Sequence, residues 1–518
     1  MFALGTLLNS PLIAHSQSAP QFIAAPPRAP SSEPPPSKLR ELWVLTHEGL
    51  SPADAVLAQT IQGLANKKKP RAWLRSGSMH AIVEAQLKRE GVPFHEAANV
   101  WELLKAFHSQ VKGAVVYQLG TPSLNVATSL CGPLKAVAID ESLLPQAQAA
   151  GLKVLVDVRG KDDKWAWENY HSRFAPGTLI EQSPKMPAYL RDLPVALNAF
   201  TMYGDDSNFR INVTKALGPQ AIAYGWGNDE YNWVRDLSSA NATAGAADWS
   251  LNLSALRLLP AGKLKRPQTQ PLKAEPGVRY IAFVMSDGDN IQWLCKDFID
   301  NHRYWASPLR GKFPITWEMS PLLAKMGPRV LQYIYATATP NDDFIAGPGA
   351  PGYTFPHPQT DRVALAQQSA PYLRDSDLPI VSVLNENAGN LAETIPLLDQ
   401  PIVSSVIYKD YSPYNGRHGA IMWHRGKPCL SYKFMLWVNL MEPNDVAREV
   451  AQMPTDPLNN EASYALVNLH AWSWGDQGGP LVKVQETIDK LPPNTRVVTA
   501  TQLMQMLTEN FAARHAKD

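Results

Sequence analysis

The chain has 518 residues, 48 Lys+Arg against 47 Asp+Glu for a net charge of +1, and 45% apolar and 18% charged residues. This is too long for one ordinary core, so two or three domains are expected, and the balanced charge argues against a nucleic-acid partner. The apolar content fits a globular protein, and no apolar run reaches the ~18 residues needed to cross a bilayer as a helix.

Residues 2–14 form a short apolar stretch, and Ala14-His15-Ser16 resembles a small-residue cleavage site. Residues 1–16 are therefore expected to be an export signal, with an extracytoplasmic (periplasmic or secreted) location. Residues 17–40 are rich in Pro, Ser and Ala and read as an extended lead-in. Cys131, Cys295 and Cys429 are far apart and form no CxxC or Cys/His spacing, so three buried free thiols are expected. No heptad pattern appears, and oligomeric state is not legible.

Residues 41–260 alternate strand and helix patterns. Strands are expected over 42–46, 70–74, 114–117, 136–139, 154–158 and 195–202. Helices are expected over 54–65, 79–89, 100–107 and 124–130. This alternation describes an open, largely parallel α/β region. No GxGxxG or P-loop follows a strand, so nucleotide binding is not supported. Two stretches, 222–233 and 247–254, join carboxylates to tryptophan and asparagine, a composition suited to a polar cleft or to packing at a domain junction. Residues 261–277 read as a linker.

Residues 278–515 repeat a strand, a polar tip and a helix, which describes an irregular (β/α) barrel-like domain. The run 280–285 ends in Asp287, Asp289 and Asn290. Trp317 and Glu318 end the next run. Asn385, Glu386 and Asn387 follow 379–384; Lys409 and Asp410 follow 403–407; Trp437 follows 429–434; His470 and Trp472 follow 464–469. In such folds the C-terminal strand ends collect ligands and catalytic groups.

An acidic pocket walled by amides and tryptophans suits carbohydrate chemistry. Glycoside hydrolysis needs a proton donor with a raised pKa and a second carboxylate. Glu318 beside Trp317, and Glu386 between two amides, are the expected catalytic pair, with Asp287 and Asp289 as alternatives. Asn290, Trp317, Gly352, Tyr353, Asn385, Asn387, Asp410, His470 and Trp472 are the expected substrate contacts. No cofactor is expected on this reading. A second reading has Asp287, Asp289 and His470 holding a divalent metal for a deacetylase or other hydrolase, although HExxH and a complete calcium loop are absent. A third reading is a non-catalytic glycan-binding protein.

Gly347-Pro348-Gly349-Ala350-Pro351-Gly352-Tyr353-Thr354-Phe355-Pro356 resembles the signature of the GxGYxYP glycoside hydrolase family, and Ser286-Asp287-Gly288-Asp289-Asn290 resembles that family's acidic strand-end motif. Residues 62–66, 70–74, 124–130 and 247–254 resemble stretches of its N-terminal region. The resemblance implies an N-terminal α/β region, a C-terminal barrel-like domain and a carbohydrate substrate. Ala350 stands at the motif's first glycine and Phe355 at its second tyrosine, so a differently bent loop and the loss of any hydroxyl role are expected.

Overall fold

The computed structural model describes residues 39–517, and the expected export signal and most of the lead-in lie outside them. Among the described residues no helix is long and apolar enough to cross a membrane.

The N-terminal half builds three small parallel sheets. The first joins β1 (Leu42–Thr46), β2 (Ala72–Arg75) and β3 (Phe94–Glu96) in the order β2-β1-β3. The second joins β4 (Gly113–Tyr117), β5 (Ala136–Asp140) and β6 (Val154–Asp157) in the order β5-β4-β6. The third has the order β10-β9-β7-β8, from β7 (Thr178–Glu181), β8 (Phe200–Met202), β9 (Ile222–Gly225) and β10 (Thr243–Ala246).

The Pro52–Ala65 helix sits among these sheets. Ser51 caps it by accepting from the Asp54 N–H, Pro52 occupies its first turn, and nearly all its residues are buried. Its tight packing depends on Gly63, where a Cβ would meet the Asp192 carbonyl oxygen at 2.5 Å and Val195 Cβ at 2.6 Å. That contact decides the element that follows Arg191. The expected strand over 195–202 is instead the helix Asp192–Leu197, stopped by Asn198 at φ 57°, followed by the short β8. The β-branched and apolar run has the right local preference for a strand, but packing against the Pro52–Ala65 helix decides it.

A buried polar seam ties the sheets together. Asn252 accepts from Gln62 Nε2 at 2.5 Å and from the Leu74 N–H at 2.8 Å, and donates to the Leu74 carbonyl at 2.7 Å. Asn66 donates to Ser254 at 3.1 Å. Asn125 accepts from Arg191 at 2.7 Å and donates to the Gln182 carbonyl at 3.0 Å. The N-terminal stretches that carry the family resemblance are thus the ones whose buried amides satisfy backbone and side-chain partners across the seam, which an apolar substitution would leave unpaired.

The C-terminal half is one strongly curled ten-stranded sheet, an open half-barrel. Its strands are β11 (Arg279–Met285), β12 (Ile315–Met319), β13 (Asp342–Ala346), β14 (Ile380–Asn385), β15 (Ser405–Asp410), β16 (Ile421–His424), β17 (Lys427–Ser431), β18 (Phe434–Leu436), β19 (Tyr464–Leu469) and β20 (Thr495–Val497). They run in the order β16-β17-β15-β14-β13-β12-β11-β19-β18, with β20 pairing the start of β11. All pairs are parallel except β16–β17. β12 pairs only the last two residues of β11, leaving the other edge of its first residues to β20.

β11 is buried along its whole length. Tyr280, Ala282 and Val284 face the Ala500–Phe511 helix, while Ile281, Phe283 and Met285 enter the larger core. That helix touches β11, β13, β17 and β19, which together span most of the sheet, so it fills the inside of the curl. Residues 261–277 carry no helix or strand, yet Leu264 is buried and Arg266 pairs with Asp343 at 3.2 Å. Cys131, Cys295 and Cys429 are buried and free, as expected.

Candidate active site

The strand tips and one edge of the N-terminal half enclose a cleft of about 250 Å³. Trp226, Glu230, Ser286, Asp287, Asp289, Asn290, Tyr353, Lys409, Tyr414, Trp437, His470 and Trp472 are among its lining residues.

The acidic turn after β11 supplies one wall. Asp287 adopts φ 68°, a left-handed conformation that Asp tolerates better than most residues, and its carboxylate accepts from Ser286 Oγ. The sequence points to Gly288 as the bending residue, but Asp287 makes the bend. Gly288 is needed for close approach, since a Cβ there would fall 1.9 Å from the Glu318 carbonyl oxygen. Asn290 closes the turn, its N–H donating to the Asp287 carbonyl at 3.2 Å.

Asp289 is 4% exposed. Burial and the nearby Asp287, Glu230 and Glu318 carboxylates hold its pKa well above the usual carboxylate range. Glu230 reaches the cleft from the N-terminal half, in the first turn of the Glu230–Ser239 helix. It accepts from Tyr353 Oη at 3.0 Å, and burial pushes its pKa up.

Aromatic rings form the adjoining wall, because β19 pairs with β11 and brings His470 beside Ser286. His470 stacks on Trp437 with ring centroids 3.7 Å apart, and Trp437 stacks on Tyr414 at 4.4 Å. His470 Nδ1 lies 2.8 Å from Ser473 Oγ. Burial lowers its pKa to about 4 against the pull of Asp287, so the imidazole is neutral near pH 7.

Behind the cleft the inner face of the sheet turns polar. Glu318, Ser382, Lys409, Tyr432 and Asn468 are all buried. Lys409 lines the cleft, with its Nζ 3.8 Å from Glu318 Oε1. Burial raises the pKa of Glu318, while Lys409 and the neighbouring Ser382 hydroxyl oppose that rise.

The 347–356 loop connects this half to the other. Tyr353 and Ala244 exchange two backbone hydrogen bonds at 2.8 Å, and a Cβ on Gly352 would come within 2.3 Å of the Ala244 carbonyl oxygen. Ala350 fits without strain because the left-handed residue is Gly349, φ 77°. Phe355 is buried against Tyr231, Tyr353 and Tyr411.

Asp287, Asp289, Asn290, Tyr353, His470 and Trp472 thus share the cleft. The other residues expected at the site sit outside its lining. The Glu318 side chain is fully buried below Lys409. Glu386 accepts from Tyr231 at 3.0 Å and pairs with Arg235 at 2.9 Å. Trp317 points into the core and donates to Asp342 at 2.9 Å. Asn385 donates to Glu393, Asn387 accepts from the Ser412 N–H, and Asp410 pairs with Arg417 at 3.0 Å. Gly352 serves the bridge to Ala244. For Trp317 and Glu318 the cause is strand alternation, which turns neighbouring side chains to opposite faces.

Glu230 is absent from the sequence-derived candidate set, although its stretch has the carboxylate–tryptophan composition of a cleft. Lys409 and Trp437 appear there only as strand-tip residues. For the metal reading, no group of three His, Cys, Asp or Glu side chains among the described residues converges to hold an ion, so Asp287, Asp289 and His470 share a cleft without forming a ligand set.

A curled α/β half-barrel, closed over its strand tips by an N-terminal α/β region to make an acidic, aromatic-walled cleft, defines the class of protein. Residues 277–508 match the model described as "GxGYxYP putative glycoside hydrolase C-terminal domain". Residues 111–174 and 176–257 match the second and third domains of the same family's N-terminal region. The chain belongs to the GxGYxYP family. It is similar to a crystal structure described as a putative hydrolase from Bacteroides thetaiotaomicron VPI-5482, with 27% identity, a TM-score of 0.83, and coverage of 91% of this chain and 95% of that chain. No curated protein matches it.

Proposed function

We propose that the protein is a glycoside hydrolase in which Asp289 is the proton donor and Asp287 the second carboxylate. One observation supports this reading above the others: Asp289 is buried beside three further carboxylates that favour its protonated form. Protonated Asp289 delivers its proton to the glycosidic oxygen as the C–O bond breaks. Asp287, oriented by Ser286 and facing Lys409 and His470, takes the electron-deficient sugar carbon directly or activates the attacking water. Glu230, fixed by Tyr353, hydrogen-bonds sugar hydroxyls from the facing wall. The Tyr414–Trp437–His470 stack offers flat apolar rings to the C–H face of a pyranose. Glu318 acts through Lys409, and Glu386 orients Tyr231 and Arg235; both are positioning residues.

The test is release of reducing sugar from a panel of soluble polysaccharides by the wild-type protein and by Asp289→Asn, Asp287→Asn and Glu230→Gln. The first two variants should lose at least about a hundredfold in turnover, the scale of a general acid–base contribution. Full turnover in both would overturn the assignment. Glycan binding without product from the wild-type chain would instead favour the binding-protein reading.

A further inference from the structure

Of the 15 tryptophans, only Trp249 and Trp472 expose close to half their surface, at 49% and 47%. An indole buries a large apolar area when it packs, so leaving one open forgoes a sizeable gain. Both open rings are steadied from one side. Trp472 contacts Trp293 at 4.9 Å between centroids, and Trp249 contacts Tyr189 at the same 4.9 Å. Lys296 in turn lies over Tyr189, its Nζ 5.3 Å from the ring centroid.

The two rings are linked by a run of neighbouring polar groups that starts inside the cleft. Trp472 is a cleft wall, and so is Asn290. Asn290 Oδ1 accepts from Gln292 Nε2 at 3.1 Å. Asp248 directly precedes Trp249; burial raises the pKa of its carboxyl, and the neighbouring Gln292 amide opposes that rise. Gln182 holds the Asp248 carbonyl at 3.0 Å, so the Trp249 backbone is anchored to the third N-terminal sheet. Amide and carboxyl groups therefore alternate with flat rings from the cleft onto the N-terminal half. That alternation matches a carbohydrate chain, whose units present an apolar C–H face and a rim of hydroxyls.

We propose that Trp249, with Tyr189, Gln292 and Asp248, forms an outer sugar-binding subsite continuous with the cleft through Trp472. The substrate is then an oligo- or polysaccharide that spans at least the cleft and this outer site, rather than a simple glycoside. This rests on the glycoside-hydrolase reading of the cleft. The outer site binds sugar and takes no part in bond cleavage.

The test uses the full chain and an array of neutral oligosaccharides of two to eight units, with binding measured on each length series. For the series that the wild-type protein binds, affinity should rise with length. Trp249→Ala should lower affinity for the longest members about tenfold, a loss on the scale of one aromatic contact, and leave the shortest unchanged. Trp249→Phe should restore much of the length dependence. Equal affinity at all lengths in the wild type, or an unchanged length profile in Trp249→Ala, would overturn the outer subsite while leaving the cleft assignment intact. Absence of wild-type binding to every oligosaccharide would overturn both.

Discussion

Gly288 lies directly against the backbone of Glu318: a Cβ at position 288 would sit 1.9 Å from the Glu318 carbonyl oxygen and 2.6 Å from the Met319 nitrogen. The acidic turn and β12 are thus locked together by the absence of one methyl group. Gly288→Ala must push the turn away, moving Asp287 and Asp289 with it. The expected outcome is a loss of ~1–3 kcal/mol in unfolding free energy and a drop in turnover larger than that loss of folded protein explains. Urea unfolding and kcat on the folded fraction measure the two effects separately.

Asp289 carries a cost that follows from its burial. Its folded pKa lies well above its unfolded value, so between the two the folded state holds the proton more tightly. Stability is fully present below pH 3.8 and is lost as pH rises through the folded pKa. Asp289→Asn removes the titration. The variant should be more stable than wild type at neutral pH, with Tm higher by ~2–4 °C for each kcal/mol relieved, and its Tm should flatten against pH while turnover collapses. A Tm at or below wild type at neutral pH would contradict this.

Glu318 and Lys409 form a close-lying pair with almost no solvent access, at 3.8 Å. Removing one partner leaves a buried charge uncompensated, a loss of ~3–5 kcal/mol. Glu318→Gln and Lys409→Met should each destabilise by about that amount, and the double variant by less than their sum. Denaturant unfolding of the four proteins gives the coupling directly. Additive losses would mean that the two charges act independently.

His470 tests the aromatic wall. Its pKa falls from 6.5 to about 4 on folding, chiefly through burial against its neighbours. The unfolded chain therefore binds this proton first as pH drops. The stability due to the neutral ring is complete above pH 6.5 and is lost as pH falls towards about 4. His470→Gln should flatten the Tm profile over that window, and in the wild type the imidazole proton resonances should titrate near pH 4.

Much of the architecture is visible from local pattern. The strands at 42–46 and 464–469 appear where the apolar β-forming runs stand, and the Val100–Phe107 helix follows its apolar periodicity. β7, β9 and β10 are not legible in the same way. Each is four residues long, too short for a period to show, and only their parallel pairing makes them strands. The helix Asp192–Leu197 is hidden for the opposite reason, since Val195 opens an apolar run that continues through Phe200 and Thr201 and reads as a strand until packing against Gly63 decides it.

The sequence by itself determined the family, the α/β class, the acidic turn 286–290 and the aromatic supply around it, because these depend on residue type at fixed local spacing. Only the tertiary structure decided which carboxylates meet. Glu318 and Asp289 are both acids at strand ends, yet one faces a closed polar layer beneath Lys409 and the other a cleft. Glu230 comes to Asp289 from nearly sixty residues away, across the bridge between Tyr353 and Ala244. Strand alternation and the curl of the sheet set those directions, and neither is expressed in the spacing of residues along the chain.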